Sequence, residues 1–218
     1  MTRNYFDQEL QDLQLSLLKM SSMVEEILAN SIKALKTQDV ELAQKVIDDD
    51  AEIDDMEFVV EDKCIKLIAL QSPLARDLRL ITTALKIITD LERIADYAVD
   101  IAKITLKLQH EKYIKKLIDI PRMAEIAIDM VKGAIDAYVN LDTEHACEAA
   151  KLDDELDGLY NQTFRELLLM MMEDPKTIKQ ATHFLLICRY LERIGDHVTN
   201  ICERIIHTVT SEHVNLND

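Results

Sequence analysis

The chain has 218 residues, 48% of them hydrophobic and 30% charged, enough to bury a sizeable core in one or two domains. Three glycines and three prolines cannot supply the turns of a β-sandwich or an α/β sheet, and Gly133, Gly158 and Gly195 are too isolated to form a phosphate-cradling loop. A net charge of −16 repels phosphate backbones and anionic lipid, which disfavours direct nucleic-acid binding.

In chain order the apolar residues recur at three and four, the period of amphipathic helices. Leu10, Leu13, Leu17, Met20, Val24, Ile27 and Leu28 mark a first helix over Asp7–Leu35, and a break follows at Lys36–Asp39. A second helix runs from about Val40 to Leu70. Ser72-Pro73 then reads as an N-cap followed by a proline at the first helical position of a third helix, which ends near Leu108. The weak pattern over His110–Ile120 marks a domain boundary. A fourth helix is expected over Pro121–Leu141, and a fifth, capped by Asp142, reaches about Met172. Asp174-Pro175 introduces a sixth that ends near Thr210. The expected fold is all-α: six long antiparallel helices in two tandem three-helix bundles, residues 1–112 and 113–218.

The second half repeats the first. Residues 81–103 align on 181–203 without gaps, and nine of the twenty-three pairs are identical, including Leu91-Glu92-Arg93-Ile94 with Leu191-Glu192-Arg193-Ile194. Upstream, Asp50-x-Glu52-Ile53-Asp54 aligns on Asp153-x-Glu155-Leu156-Asp157. This is the pattern of a duplicated domain. No apolar run reaches the roughly 18 residues of a membrane span, and the N-terminus has no apolar signal core. Cys64, Cys147, Cys188 and Cys202 have no CxxC spacing and read as reduced, buried thiols of a cytosolic protein.

The chemistry lies in carboxylates. On the third helix an apolar sector turns acidic at Glu92, and Asp96 and Asp100 follow at i+4 spacing. The sixth helix repeats this with Glu192, Asp196 and Asn200, with Glu203 close by. A hairpin turn near residues 72–74 sets Asp50 against Asp96 and Asp54 against Glu92. A turn near Asp174 sets Asp153 against Asp196 and Asp157 against Glu192. Four facing carboxylates repel unless they are protonated, paired with Lys or Arg, or bridged by a cation. Oxygen-only donors suit hard metals: magnesium, manganese or iron. Arg93 and Arg193 could instead neutralise Glu92 and Glu192, which leaves a metal-free acidic scaffold as the alternative. A carboxylate metal-dependent hydrolase is a third reading. None of the six histidines has a glutamate three residues before it, so a di-iron site with Glu-x-x-His is not expected. His197 stands where the first repeat has Tyr97 and reads as a surface residue or a support to the carboxylates. His183 and His207 are given no role.

At Leu91-Glu92-Arg93-Ile94-Ala95-Asp96, its twin at 191–196, and the stretch Leu70-Gln71-Ser72-Pro73-Leu74-Ala75-Arg76-Asp77-Leu78-Arg79, the sequence resembles the PhoU family of phosphate-uptake regulators. The resemblance covers nearly the whole chain. It implies metal binding, often in multinuclear clusters, through Glu/Asp-x-x-x-Asp motifs, which here fall on Glu92/Asp96, Glu192/Asp196, Asp50/Asp54 and Asp153/Asp157. Asp100 against Asn200 implies that the two sites differ. It also implies a cytoplasmic, non-catalytic accessory protein of the phosphate ABC transporter, commonly a homodimer. Its expected partners are the transporter's nucleotide-binding subunit and a sensor histidine kinase.

Overall fold

The computed structural model describes residues 3–71 and 73–216. Six α-helices account for nearly all of them: α1 (Arg3–Thr37), α2 (Val40–Gln71), α3 (Ala75–Leu108), α4 (Asp119–Asn140), α5 (Thr143–Glu173) and α6 (Ile178–Thr210). There is no strand among the described residues. At about 1.5 Å per residue the longest helices span about 50 Å.

Local chemistry explains most of the breaks. Gln38 turns the chain at φ 54°, and the Asp39 carboxylate then accepts from the Leu42 N–H to start α2. Asp142 caps α5 as expected, accepting from the N–H groups of Glu144 and His145. Leu141 takes the left-handed conformation that ends α4, and the N–H groups of Leu141 and Asp142 bond back to the carbonyls of Tyr138 and Ala137. Several starts differ from the sequence reading. Ser72 lies outside the described residues; α3 begins at Ala75 after an extended Leu74 with no side-chain cap, so Pro73 precedes the helix. Asp174 caps a 3₁₀ turn, Pro175–Thr177, and α6 starts only at Ile178. α4 begins two residues before Pro121, which sits in a first turn where no N–H is needed.

Two layers of packing follow. α1, α2 and α3 pack together, as do α4, α5 and α6; the halves join through α3 against α6 and α1 against α4. The central helices α3 and α6 bury the stripe that the periodicity marks, from Leu80, Ala84 and Ile87 to Ile101 on one and from Ala181, Phe184 and Ile187 to Ile205 on the other. Burial pushes the thiols of Cys64, Cys188 and Cys202 up to about 12, so they are inert protonated groups.

Candidate functional site

Each acidic cluster sits on one hairpin, α2 with α3 and α5 with α6. The carboxylates set opposite by the numbering feel one another's charge: Asp96 acts on Asp50, Asp54 on Glu92, Asp196 on Asp153 and Asp157 on Glu192. Asp50 is raised above the ordinary aspartate range by burial first, then by the charges of Asp54, Asp96 and Asp100. Glu92 is raised by burial and by Asp96, Glu57 and Asp54, against the opposing Arg93. Glu57 joins this cluster unannounced; the Thr89 hydroxyl donates to its Oε1 at 3.3 Å, while burial raises its carboxyl. It sits seven residues after Asp50 and three after Asp54, so the same face of α2 carries all three.

The second cluster is more strained. Asp153 is pushed up to about 7, chiefly by burial, then by Asp157 and Asp196; the Thr199 hydroxyl, 3.4 Å from Oδ2, only partly offsets this. Asp157 is raised by burial and Asp196. Glu192 is raised by burial and Asp196, although Arg189 and Arg193 pull it down. Asp153 Oδ1 and Glu192 Oε2 are buried without a hydrogen-bond partner, although Arg193 Nε stands 3.8 Å from the latter. Such orphaned oxygens are costly in a folded interior and call for a proton or a cation.

Gly195 accounts for the depth of Asp153. A Cβ there would lie 2.2 Å from Asp153 Oδ1 and 2.6 Å from Leu156 Cδ2, so only glycine lets α5 and α6 approach this closely. The matching position on α3 is Ala95.

Arginines engage both clusters. Arg93 lies 3.4 Å from Glu92 and 3.0 Å from Asp96, and Arg193 lies 2.8 Å from Asp196, with Arg189 bound to Glu192. With the side chains so held, no group of three or more His, Cys, Asp or Glu among the described residues converges tightly enough to hold a metal ion. The donor chemistry still fits a hard cation, because the orphaned oxygens of Asp153 and Glu192 belong to an all-oxygen set. Asp100 pairs with Lys103 at 3.1 Å, whereas Asn200 carries no charge. Glu203 is engaged about three turns beyond Glu192, where its Oε1 accepts from the Leu216 N–H at 2.8 Å.

A charged triad at the junction of the two halves has no counterpart in the sequence reading. Asp90, 6% exposed, binds Arg204 and lies 2.9 Å from His197 Nδ1, so it ties α3 to α6. His197 is therefore a junction residue. The repeat offset of 100 maps Asp90 and His197 onto Tyr190 and Tyr97, and these stack at 5.6 Å between ring centroids. That double exchange, Tyr/Tyr for Asp/His, was the readable signal.

A duplicated bundle of three-helix units, each with a carboxylate hairpin, defines the class of protein. The sequence profile of the PhoU domain matches residues 17–105 and again 120–205. A phosphate-specific transport system accessory protein PhoU homolog from Clostridium acetobutylicum is 45% identical over the full length of both chains. The crystal structure of PhoU from Pseudomonas aeruginosa is 35% identical and superposes with a TM-score of 0.90 over 95% of this chain and 100% of that one. The phosphate transport system regulatory protein PhoU from Streptococcus pneumoniae is 30% identical, with a TM-score of 0.89 over 96% and 99% of the two chains. The chain belongs to the PhoU family.

Proposed function

We propose that this protein regulates phosphate uptake and phosphate-responsive signalling, with metal held at its two acidic hairpins. The names of its relatives, accessory and regulatory proteins of phosphate transport, support the role. The observation that carries the metal reading is the pair of orphaned carboxylate oxygens on Asp153 and Glu192, within a cluster that the chain builds twice. Asp50, Asp54, Glu92 and Asp96 would hold one centre, and Asp153, Asp157, Glu192 and Asp196 the other. A bound hard cation supplies the positive charge that lets these carboxylates share one site. Arg93 and Arg193, which hold Asp96 and Asp196 in the metal-free chain, would have to release them to such a cation, and Thr199 would orient Asp153.

The protein works by binding other proteins, in the cytoplasm and as a homodimer. Its partners are the nucleotide-binding subunit of the phosphate ABC transporter and the sensor histidine kinase. No helix among the described residues is long and apolar enough to cross a membrane. Large apolar side chains stand exposed on the outer helices, Phe58, Val59 and Ile65 on α2 and Phe164, Leu168 and Leu169 on α5, and they suit protein contacts. Deleting the gene should derepress phosphate uptake, measured as phosphate taken up by cells grown in excess phosphate. Unaltered uptake and unaltered phosphate signalling in the deletion strain would remove the regulatory role.

A further inference from the structure

A cleft of about 370 Å³ opens where the first turns of α3 meet the last turns of α6 and residues 211–216 turn back across them. Its sign is opposite to that of the chain. Arg79, Lys86 and Arg204 line it together with the imidazoles of His207 and His213, which stack at 4.1 Å, against one carboxylate among the described residues, Glu203. Acidic residues outnumber basic ones by 41 to 25 over the whole sequence, so a pocket of this composition stands out electrostatically.

The charges are not all spent. Asp90 fixes Arg204 from beneath, and Glu203 already accepts from the Leu216 N–H. Among the described residues Arg79 and Lys86 have no carboxylate partner, and Arg79 Nε is buried without an acceptor. The other repeat indicates what such a position takes. The offset of 100 maps Arg79 onto Lys179. There the connection between α3 and α4 brings in an anion. Glu111 accepts from Lys179 Nζ at 2.6 Å and from Gln180 Nε2 at 3.1 Å, bonds that hold its carboxyl below the usual glutamate range. At the end of α6 the equivalent segment brings His213 to the cleft wall instead.

We propose that this cleft binds a small anion carrying two or more linked phosphate groups. Guanidinium forks match phosphate oxygens in pairs, and a lysine ammonium adds a mobile point charge. The volume falls within the roughly 300–1,000 Å³ of small-molecule sites and exceeds what one tetrahedral oxyanion fills. Asp90 preorganises Arg204, so that part of the orientation is set before the ligand arrives. The oligophosphate group comes from a free polyphosphate chain or from a nucleotide. The site is independent of the metal reading, since Arg79 and Lys86 pair with no carboxylate of either acidic cluster among the described residues and Arg204 pairs with Asp90.

Calorimetric titration of the full chain tests it, with chelator present so that no metal bridges the ligand to the carboxylates. The probes are tripolyphosphate, adenosine triphosphate, orthophosphate and citrate. Tripolyphosphate and adenosine triphosphate should saturate one site per chain, and Arg79→Gln and Lys86→Gln should each weaken them by roughly tenfold or more. Equal affinities mean that the phosphate chain alone is recognised; tighter nucleotide binding means that the base also touches the cleft. Should Arg79→Gln fail to fold, the exposed Lys86 carries the same comparison. Citrate or orthophosphate binding as tightly as tripolyphosphate would overturn the proposal. So would the absence of saturation, or unchanged affinity in a folded variant.

Discussion

Gly195 and Ala95 hold matching places on α6 and α3, and the difference between them sets how deeply each aspartate opposite can sink. Gly195→Ala must displace Asp153 or Leu156, because the added carbon meets both at well under contact distance. The expected loss is about 1–3 kcal/mol in urea unfolding, the range for overpacking a filled interior. Ala95→Gly should cost about 1 kcal/mol through helix propensity alone. Asp153 itself sets a pH dependence. Its folded value of about 7 lies above the roughly 3.9 of an unfolded aspartate, so the folded chain keeps a proton that the unfolded chain releases. The stability it contributes is full below about pH 4 and is lost as pH rises towards 7. Asp50, Glu57, Glu92, Asp157 and Glu192 are raised too and act in the same direction. In metal-free protein, Asp153→Asn should therefore flatten the fall in melting temperature between about pH 4 and 8. Identical slopes in variant and parent would refute the assignment.

Among the elements, the junction of α3 and α6 carries the most specific electrostatics. Asp90→Asn leaves Arg204 and His197 without their anion, and the loss should approach about 3 kcal/mol, the lower end for breaking a buried pair, since Arg204 is partly solvated. Tyr190→Ala, at the exchanged position, should remove about 1 kcal/mol of stacking beyond its lost burial. Equal, negligible effects at both positions would mean that α3 and α6 are held by their apolar stripes alone. The contrast also marks how far the sequence can be read. Helix positions follow from local periodicity, and Asp142 announces its cap because the N–H groups that donate to it lie two and three residues away. The hairpin register follows from the turn position, which is why Asp50 and Asp153 could be placed opposite Asp96 and Asp196. Asp90 finds its partners 107 and 114 residues downstream, and no local spacing encodes such a pairing. Arg79 and His207 come to line one cleft in the same way, through the packing of α3 against α6. The start of α3 eluded the cap rule because Pro73 precedes the helix by two residues.

For the whole molecule, the net charge of −16 and the two acidic hairpins dominate the field. Association with the proposed partners should weaken as salt rises, through a slower on-rate, if rim charges steer the encounter. Salt-insensitive binding would place the exposed apolar side chains of α2 and α5 at its centre instead. The two acidic sites lie on separate hairpins, so they should respond separately to mutation. The most direct measurement is elemental analysis of protein purified without chelator, beside the Asp153→Asn/Glu192→Gln and Asp50→Asn/Glu92→Gln variants. Each double variant should lose the metal of its own hairpin and keep that of the other. A metal-free parent protein, or full metal content in both variants, would contradict the account and leave Arg93, Arg189 and Arg193 as the neutralising groups.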